Sequence, residues 1–84
     1  MLDCLLNGEI SEHVEASDRG LNYGDGLFET IAVRKGQPRW WQEHMDRLET
    51  GCDRLGLKMP AQAVLLREVQ TVSAGRSRCV VKIL

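Results

Sequence analysis

The sequence has no surplus of charge of either sign and no long hydrophobic run. Eleven lysine and arginine residues are opposed by twelve aspartate and glutamate residues, which gives a formal net charge of −1. Because nucleic-acid-binding domains normally carry a strongly basic patch, we expect no nucleic-acid partner. No window approaches the ~18 consecutive apolar residues of a membrane span, and residues 1–8 lack the regions of a signal peptide. These absences favour a soluble, cytoplasmic protein without a membrane partner.

Cysteine is scarce and unsuitably spaced for a disulfide framework. Cys4, Cys52 and Cys79 are odd in number and far apart, whereas disulfide-stabilised domains have an even and denser set. His13 and His44 stand at no standard zinc-ligand spacing from these cysteines. We therefore expect reduced thiols, each buried as a small apolar side chain, and no metal site.

Turn residues and hydrophobic periodicity predict an α+β fold. The dipeptide Asn7-Gly8 is typical of a tight hairpin turn, and the segment 17–26 is predicted to be a glycine-rich loop. Gly51 lies within a predicted helix, where glycine costs about 1 kcal/mol relative to alanine, and this suggests close packing. The expected fold is a small, largely antiparallel sheet with two helices packed on it. Its predicted elements are strands at 2–6, 10–16, 27–34, 38–41 and 79–84 and helices at 43–55 and 61–73.

The last six residues, 79–84 (CVVKIL), have the pattern of a strand with no turn, cap or polar tail after it. Domains rarely stop within an apolar strand, because such a strand needs neighbours or a terminus that frays into water. We therefore interpret residues 1–84 as one truncated, N-terminal domain of a larger protein. An incomplete sheet and an uncovered apolar face predict self-association of this fragment.

Residues 17–30 (SDRGLNYGDGLFET) are the most informative segment. Glycine and aspartate are followed abruptly by a β-branched run, which is typical of a strand entered from a tight loop. Since side chains alternate along a strand, Phe28, Thr30 and Ala32 are predicted to share one face, opposite Glu29. That face has the composition of a pocket wall with an aromatic ring and a hydroxyl, and equally of a sheet packed on both sides.

Arg47 is a candidate anion-binding residue. It follows His44 by three residues on the predicted helix 43–55, so the two side chains share a helix face. A guanidinium binds phosphate or carboxylate through two parallel hydrogen bonds. Spacing alone, however, favours a solvated arginine that pairs with Glu43 or Asp46.

The other titratable residues are interpreted as structural or solvated. Asp18 and Asp25 lie in turns in which aspartate usually binds its own backbone. Lys35, Lys58 and Lys82 lie in a hairpin turn, in a loop and on the outward face of the last strand, and none is expected to be a nucleophile. From the residues alone, the chain contains no complete catalytic apparatus.

Residues 18–30 (DRGLNYGDGLFET) and 43–48 (EHMDRL) closely resemble the N-terminal domain of fold-type IV pyridoxal-phosphate enzymes, over essentially the whole chain. This family includes D-amino-acid and branched-chain aminotransferases as well as a lyase. The sequence GDGLFET at 24–30 is most similar to that of the lyase. The resemblance implies pyridoxal 5′-phosphate as cofactor, a small-molecule substrate and a homodimer of the full-length protein. For the lyase it implies conversion of 4-amino-4-deoxychorismate to 4-aminobenzoate and pyruvate, in folate biosynthesis.

The resemblance also implies roles for individual residues. Arg47 stands at the phosphate-binding position of the family's H-x-x-R-L motif, and Phe28, Thr30 and Ala32 stand where the family lines the substrate side of the cofactor. The family's cofactor-binding lysine lies further along the chain, in a C-terminal domain expected to be absent here. No catalytic residue is therefore expected within residues 1–84, and the chain alone is expected to be inactive.

Two alternatives remain at the level of the sequence. One is an aminotransferase of the same fold, of the D-amino-acid or branched-chain type. The other is a free-standing, non-catalytic interaction domain that pairs its exposed strands with a partner.

Overall fold

The computed structural model describes residues 4–84, which form an α+β fold with two antiparallel sheets. Strands β1 and β2 form a separate hairpin, and the other strands form a three-stranded sheet in the order β4-β3-β5. The expected fold class is thus confirmed. The elements in chain order are β1 (Leu5–Leu6), β2 (Glu9–Ile10), α1 (Arg19–Tyr23), β3 (Glu29–Arg34), β4 (Gln37–Pro38), α2 (Trp41–Leu55), α3 (Gln62–Val72) and β5 (Arg78–Ile83).

Strand β3 lies at the centre of the larger sheet, paired on both sides. It runs antiparallel to β5, with Thr30 opposite Lys82 and Ile31 opposite Val81. It turns into β4 through two residues, 35 and 36, that both have positive φ, as the twist of a two-residue hairpin requires. Strand β5 pairs with β3 along its whole length, whereas β4 pairs only with Val33 and Arg34.

Helices α2 and α3 cover one face of this sheet. The odd-numbered residues of β3 and β5 point into the resulting core, and the even-numbered residues point away from it, as the predicted alternation requires. Burial of aliphatic side chains of this size stabilises a fold by about 1.5–3 kcal/mol each. The buried apolar residues are Ile31, Val33, Met45, Leu48, Cys52, Leu65, Val69 and Val81.

The opposite face of the sheet is open within residues 4–84. Val80 is 65% exposed there, and Lys82 and Thr30 are exposed beside it. None of the helices within residues 4–84 combines the length and the hydrophobicity that a bilayer-spanning segment requires.

Gly51 allows the beginning of the central strand to lie directly against α2. A Cβ atom at Gly51 would lie 2.9 Å from Cδ1 and Cδ2 of Leu27, which is too short for carbon atoms to approach. The predicted close packing at this glycine is therefore confirmed. The contact packs Leu27 against α2 and the edge of the core cluster that includes Leu48 and Cys52.

The structure corrects the predicted secondary structure in three places. The predicted loop contains α1, which Asp18 caps by accepting a hydrogen bond from the backbone N–H of Leu21 at 3.0 Å and which ends at Gly24 with φ 70°. The strand predicted at 38–41 is wrong beyond residue 38, because Trp40 has φ 57° and α2 begins immediately after it. The second hairpin strand spans only two residues. Residues 2 and 3 of the first predicted strand lie outside the described range.

The cysteines are free thiols in three different environments. Cys52 is buried and Cys79 is half-buried, whereas Cys4 is exposed. The expectation of burial is therefore wrong for Cys4, which lies next to the small hairpin rather than under the helices.

Candidate functional site

Glu29 places a carboxylate on the core side of the sheet. It is only 4% exposed and shares the helix-covered face of β3 with Ile31 and Val33. A buried carboxylate is unfavourable unless charged or polar partners replace its lost hydration. This position therefore requires donors from the helix above it.

The required donors come from two residues of α2. His44 Nδ1 lies 2.7 Å from Glu29 Oε1. Arg47 donates from Nε to Oε2 at 2.9 Å and from Nη2 to Oε1 at 2.9 Å, with a longer contact of 3.2 Å from Nε to Oε1. The three-residue spacing on α2 places both side chains over the same carboxylate.

The electrostatics favour the charged forms of Glu29 and Arg47. Hydrogen bonds from Arg47 lower the pKa of Glu29 below its ordinary value, with a smaller contribution from His44, and they outweigh burial, which acts to raise it. Glu29 in turn raises the pKa of Arg47. Because an ionised carboxylate only accepts hydrogen bonds, the Nδ1 atom of His44 is the donor in its contact with Glu29.

Arg47 uses only one edge of its guanidinium for this ion pair. Its side chain is 72% exposed, and within residues 4–84 its Nη1 atom makes no hydrogen bond. Its partner is neither Glu43 nor Asp46, the partners that spacing favoured, since Asp46 accepts from Gln42 instead. The arginine is therefore held from the core side and open on the solvent side.

Arg47 lines a groove of about 400 Å³. This volume falls within the range of small-molecule pockets. Arg47 and Arg54 give the groove two cationic side chains, and Leu27 and Phe28 give it an apolar wall. The residues that line it are Leu27, Phe28, Glu29, Arg47, Leu48, Thr50, Gly51 and Arg54.

The candidate residues from the sequence are only partly brought together. Phe28 lines the same groove as Arg47. Thr30 and Ala32 lie on the other, open face of β3, where Thr30 is in register with Lys82. Phe28 also borders this face, since the Nζ atom of Lys82 lies 4.8 Å from the centre of its ring. Phe28 thus connects the groove to the open face.

Glu29 and His44 belong to this cluster although neither was predicted from the sequence as a site residue. The available signal was an acidic residue on a strand face otherwise composed of isoleucine and valine, followed by a helix with histidine and arginine three residues apart. The two aspartates considered in the sequence have structural roles: Asp18 caps α1, and Asp25 forms an ion pair with Arg19 at 2.6 Å.

The chain belongs to the amino-transferase class IV family, whose model matches residues 26–82 and so includes the cluster and its groove. It is 43% identical to 4-amino-4-deoxychorismate lyase from Pseudomonas aeruginosa, whose crystal structure superposes with a TM-score of 0.79 over 90% of this chain and 28% of that chain. It is 32% identical to a fold IV-transaminase from Curtobacterium pusillum, with a TM-score of 0.76 over 86% of this chain and 27% of that chain.

Curated relatives give the same two kinds of enzyme. Aminodeoxychorismate lyase from Vibrio harveyi is 42% identical over 55 residues, which are 66% of this chain and 20% of the relative. D-alanine aminotransferase from Listeria monocytogenes (strain 10403S) is 32% identical over 69 residues, which are 77% of this chain and 24% of the relative. The chain thus spans about a fifth to a quarter of the length of these relatives.

The groove fits the phosphate group of pyridoxal 5′-phosphate, the cofactor generally used by this family. The open edge of Arg47 presents planar N–H donors of the kind that bind phosphate in pairs. Arg54 adds a second cation to the same groove. Within residues 4–84, Arg47 and Arg54 are therefore the residues of this groove that could hold a phosphate.

Proposed function

We propose that the chain forms one wall of the pyridoxal-phosphate site of a 4-amino-4-deoxychorismate lyase, with Arg47 as the residue that holds the cofactor's phosphate. The observation that carries this proposal is the exposed edge of Arg47 over a groove, on a guanidinium fixed by a buried carboxylate. The substrate is 4-amino-4-deoxychorismate, and the products are 4-aminobenzoate, a folate precursor, and pyruvate.

The choice of the lyase over an aminotransferase rests on similarity. The two lyases are 43% and 42% identical to this chain, compared with 32% for both the transaminase and the D-alanine aminotransferase. The aminotransferase remains the second candidate, because its match extends over a larger share of the chain than that of the Vibrio enzyme.

In this proposal each part of the chain has a separate task. Arg47 binds the phosphate, and Leu27 and Phe28 form an apolar wall beside it. Thr30 and Ala32, together with Phe28, face the substrate side. The cofactor, when bound, supplies an electron sink for the negative charge that develops on the substrate.

The chain supplies no catalytic residue in this proposal and is inactive by itself. Lys82 lies on the open face against the ring of Phe28, and we assign it no role as nucleophile. The lysine that binds the cofactor is proposed to lie in a C-terminal domain outside residues 1–84. The complete protein is proposed to be a cytoplasmic homodimer with no nucleic-acid or membrane partner.

The activity of the complete gene product tests the proposal. The purified protein is given 4-amino-4-deoxychorismate, and 4-aminobenzoate is measured by fluorescence and pyruvate by a coupled dehydrogenase. A parallel assay measures transfer of the amino group from D-alanine to 2-oxoglutarate. Equal amounts of 4-aminobenzoate and pyruvate, without amino transfer, are expected. Amino transfer without formation of 4-aminobenzoate would contradict the lyase and support the aminotransferase.

The free-standing interaction domain is tested by the intact mass of the native gene product. A product ending at Leu84 would favour that alternative over the enzyme.

Self-association of the isolated chain through its open sheet face, where Val80 is exposed, is tested by sedimentation. A monomer at high concentration would contradict the proposed self-association.

A further inference from the structure

We propose that Glu29 is a positioning residue for anion binding: it fixes one edge of the Arg47 guanidinium so that the opposite edge faces the groove. The inference rests on the proposed function, in which Arg47 holds a phosphate. It assigns a role in ligand binding to a buried strand residue that does not itself contact the ligand.

The hydrogen bonds define which donors of Arg47 remain. A guanidinium has five N–H donors in a rigid plane. Glu29 takes the Nε donor and one donor on Nη2, so the two donors on Nη1 and the second donor on Nη2 point away from the carboxylate. These remaining donors lie on the exposed side of the residue, which also lines the groove.

Glu29 is itself held rigidly. Its backbone belongs to the central strand, in register with Ile83 of β5, and its carboxylate also accepts a hydrogen bond from His44. An exposed arginine without such a partner distributes over many rotamers, and binding an anion then requires the loss of that freedom. The ion pair with Glu29 removes most of this freedom before the ligand arrives.

The negative charge of Glu29 and its positioning of Arg47 have opposite effects on phosphate affinity. Removal of Glu29 therefore distinguishes the two. A carboxylate beside Arg47 repels an incoming phosphate, so charge alone predicts that removal of Glu29 strengthens phosphate binding. Positioning predicts that its removal weakens binding. The variant Glu29→Gln has nearly the same shape but no charge, and its amide NH2 cannot accept from Arg47.

The experiment measures the phosphate contribution to cofactor affinity in the complete gene product without cofactor. Dissociation constants for pyridoxal 5′-phosphate and for pyridoxal, which lacks the phosphate, are obtained by calorimetry. The affinity ratio is the affinity for pyridoxal 5′-phosphate divided by that for pyridoxal, and it measures the contribution of the phosphate. Inorganic phosphate is titrated as a second probe. The variants are Arg47→Gln, Glu29→Gln and the control Glu49→Gln, which removes the same charge from an exposed position on α2.

We expect Arg47→Gln to reduce the affinity ratio by about 10- to 100-fold, as loss of charge-assisted hydrogen bonds does. Glu29→Gln is expected to reduce it by about 3- to 10-fold, and Glu49→Gln to leave it unchanged. A ratio that rises or stays constant in Glu29→Gln overturns the positioning role. If Arg47→Gln has no effect, the proposed phosphate site itself is wrong, which is a distinguishable failure.

A further variant tests the inference without changing Glu29 and is informative even if Glu29→Gln does not fold. Arg47→Lys keeps the positive charge, but a single ammonium group cannot bind Glu29 along one planar edge and a phosphate along another. We expect it to lose most of the phosphate contribution, with pyridoxal affinity unchanged. An affinity ratio equal to that of the unmodified protein would contradict the proposed geometry.

Discussion

The guanidinium of Arg47 meets the carboxylate of Glu29 side-on, with Nε and Nη2 each 2.9 Å from a different carboxylate oxygen. One partner is almost fully buried and the other is largely exposed. The pair therefore links the buried interior of the domain to its groove. Its contribution can be measured both as folding stability and as affinity for an anion.

Acidification should remove the stability that this pair contributes. The pKa of Glu29 is lower in the folded protein than its ordinary value of 4.5. The contribution is therefore complete above pH 4.5, the ordinary value, and is lost as the pH falls through the lower, folded-state pKa. We expect the difference in free energy of unfolding between the unmodified chain and Glu29→Gln to shrink over that range.

Urea denaturation at a series of pH values measures this difference. Glu49→Gln serves as the control, because its carboxylate is exposed and its difference from the unmodified chain should depend little on pH. A Glu29→Gln difference that stays constant or grows on acidification would rule out the ion pair as its source.

Helix propensity and packing should compete at Gly51. Alanine in place of glycine favours a helix by about 1 kcal/mol, but here its Cβ would meet the side chain of Leu27 at 2.9 Å. We expect Gly51→Ala to give this full gain only when Leu27 is also changed to alanine. The coupling energy between the two substitutions should be about 0.5–3 kcal/mol.

Chemical denaturation of the two single variants and the double variant gives the coupling energy. Additive effects would show that Leu27 does not pack against α2 in solution. The same variants should change the shape of the groove, since both residues line it.

Adjacent valines on β5 should differ in their effect on stability. Val81 is 9% exposed and contacts the core, whereas Val80 is 65% exposed on the open face. We expect Val81→Ala to cost about 1–3 kcal/mol and Val80→Ala less than about 1 kcal/mol. Unfolding of the isolated chain checks this, and equal costs would place the wrong face of the sheet in the core.

The isolated chain should not bind the cofactor covalently. Titration with pyridoxal 5′-phosphate is expected to give no absorbance band of a lysine-bound cofactor, because no lysine of this chain is assigned that role. Lys82→Ala is the decisive variant, since Lys82 is the lysine on the open face beside Phe28. A band that forms with the unmodified chain and disappears in Lys82→Ala would contradict the proposed division of tasks.

Much of the fold follows from local sequence signals. The alternation around Ile31 and Val33 identifies the central strand, and the glycine at position 56 ends α2 with a φ of 69°. The short helix α1 was missed because its capping residues, Asp18 and Gly24, are also typical turn residues. A helix of five residues has too little periodicity to separate the two cases.

The site was less predictable than the fold. The resemblance identified Arg47, but its pairing with Glu29 joins residues 18 positions apart in the sequence, and only the packing of α2 on β3 brings them together. Spacing within the helix pointed instead to Glu43 and Asp46. The arrangement of Thr30 and Ala32 away from the groove likewise depends on which face the helices cover.

Because side chains alternate along β3, residues that determine stability and residues that face the open side of the sheet occupy alternate positions in one strand. Changes at residues 31 and 33 act on folding, whereas residues 30 and 32 lie outside the core, so that changes there carry little stability cost. If the open face contacts substrate, as proposed, specificity can diversify by single substitutions on a scaffold that stays folded. Such independence offers one route by which a lyase and an aminotransferase can share the same domain.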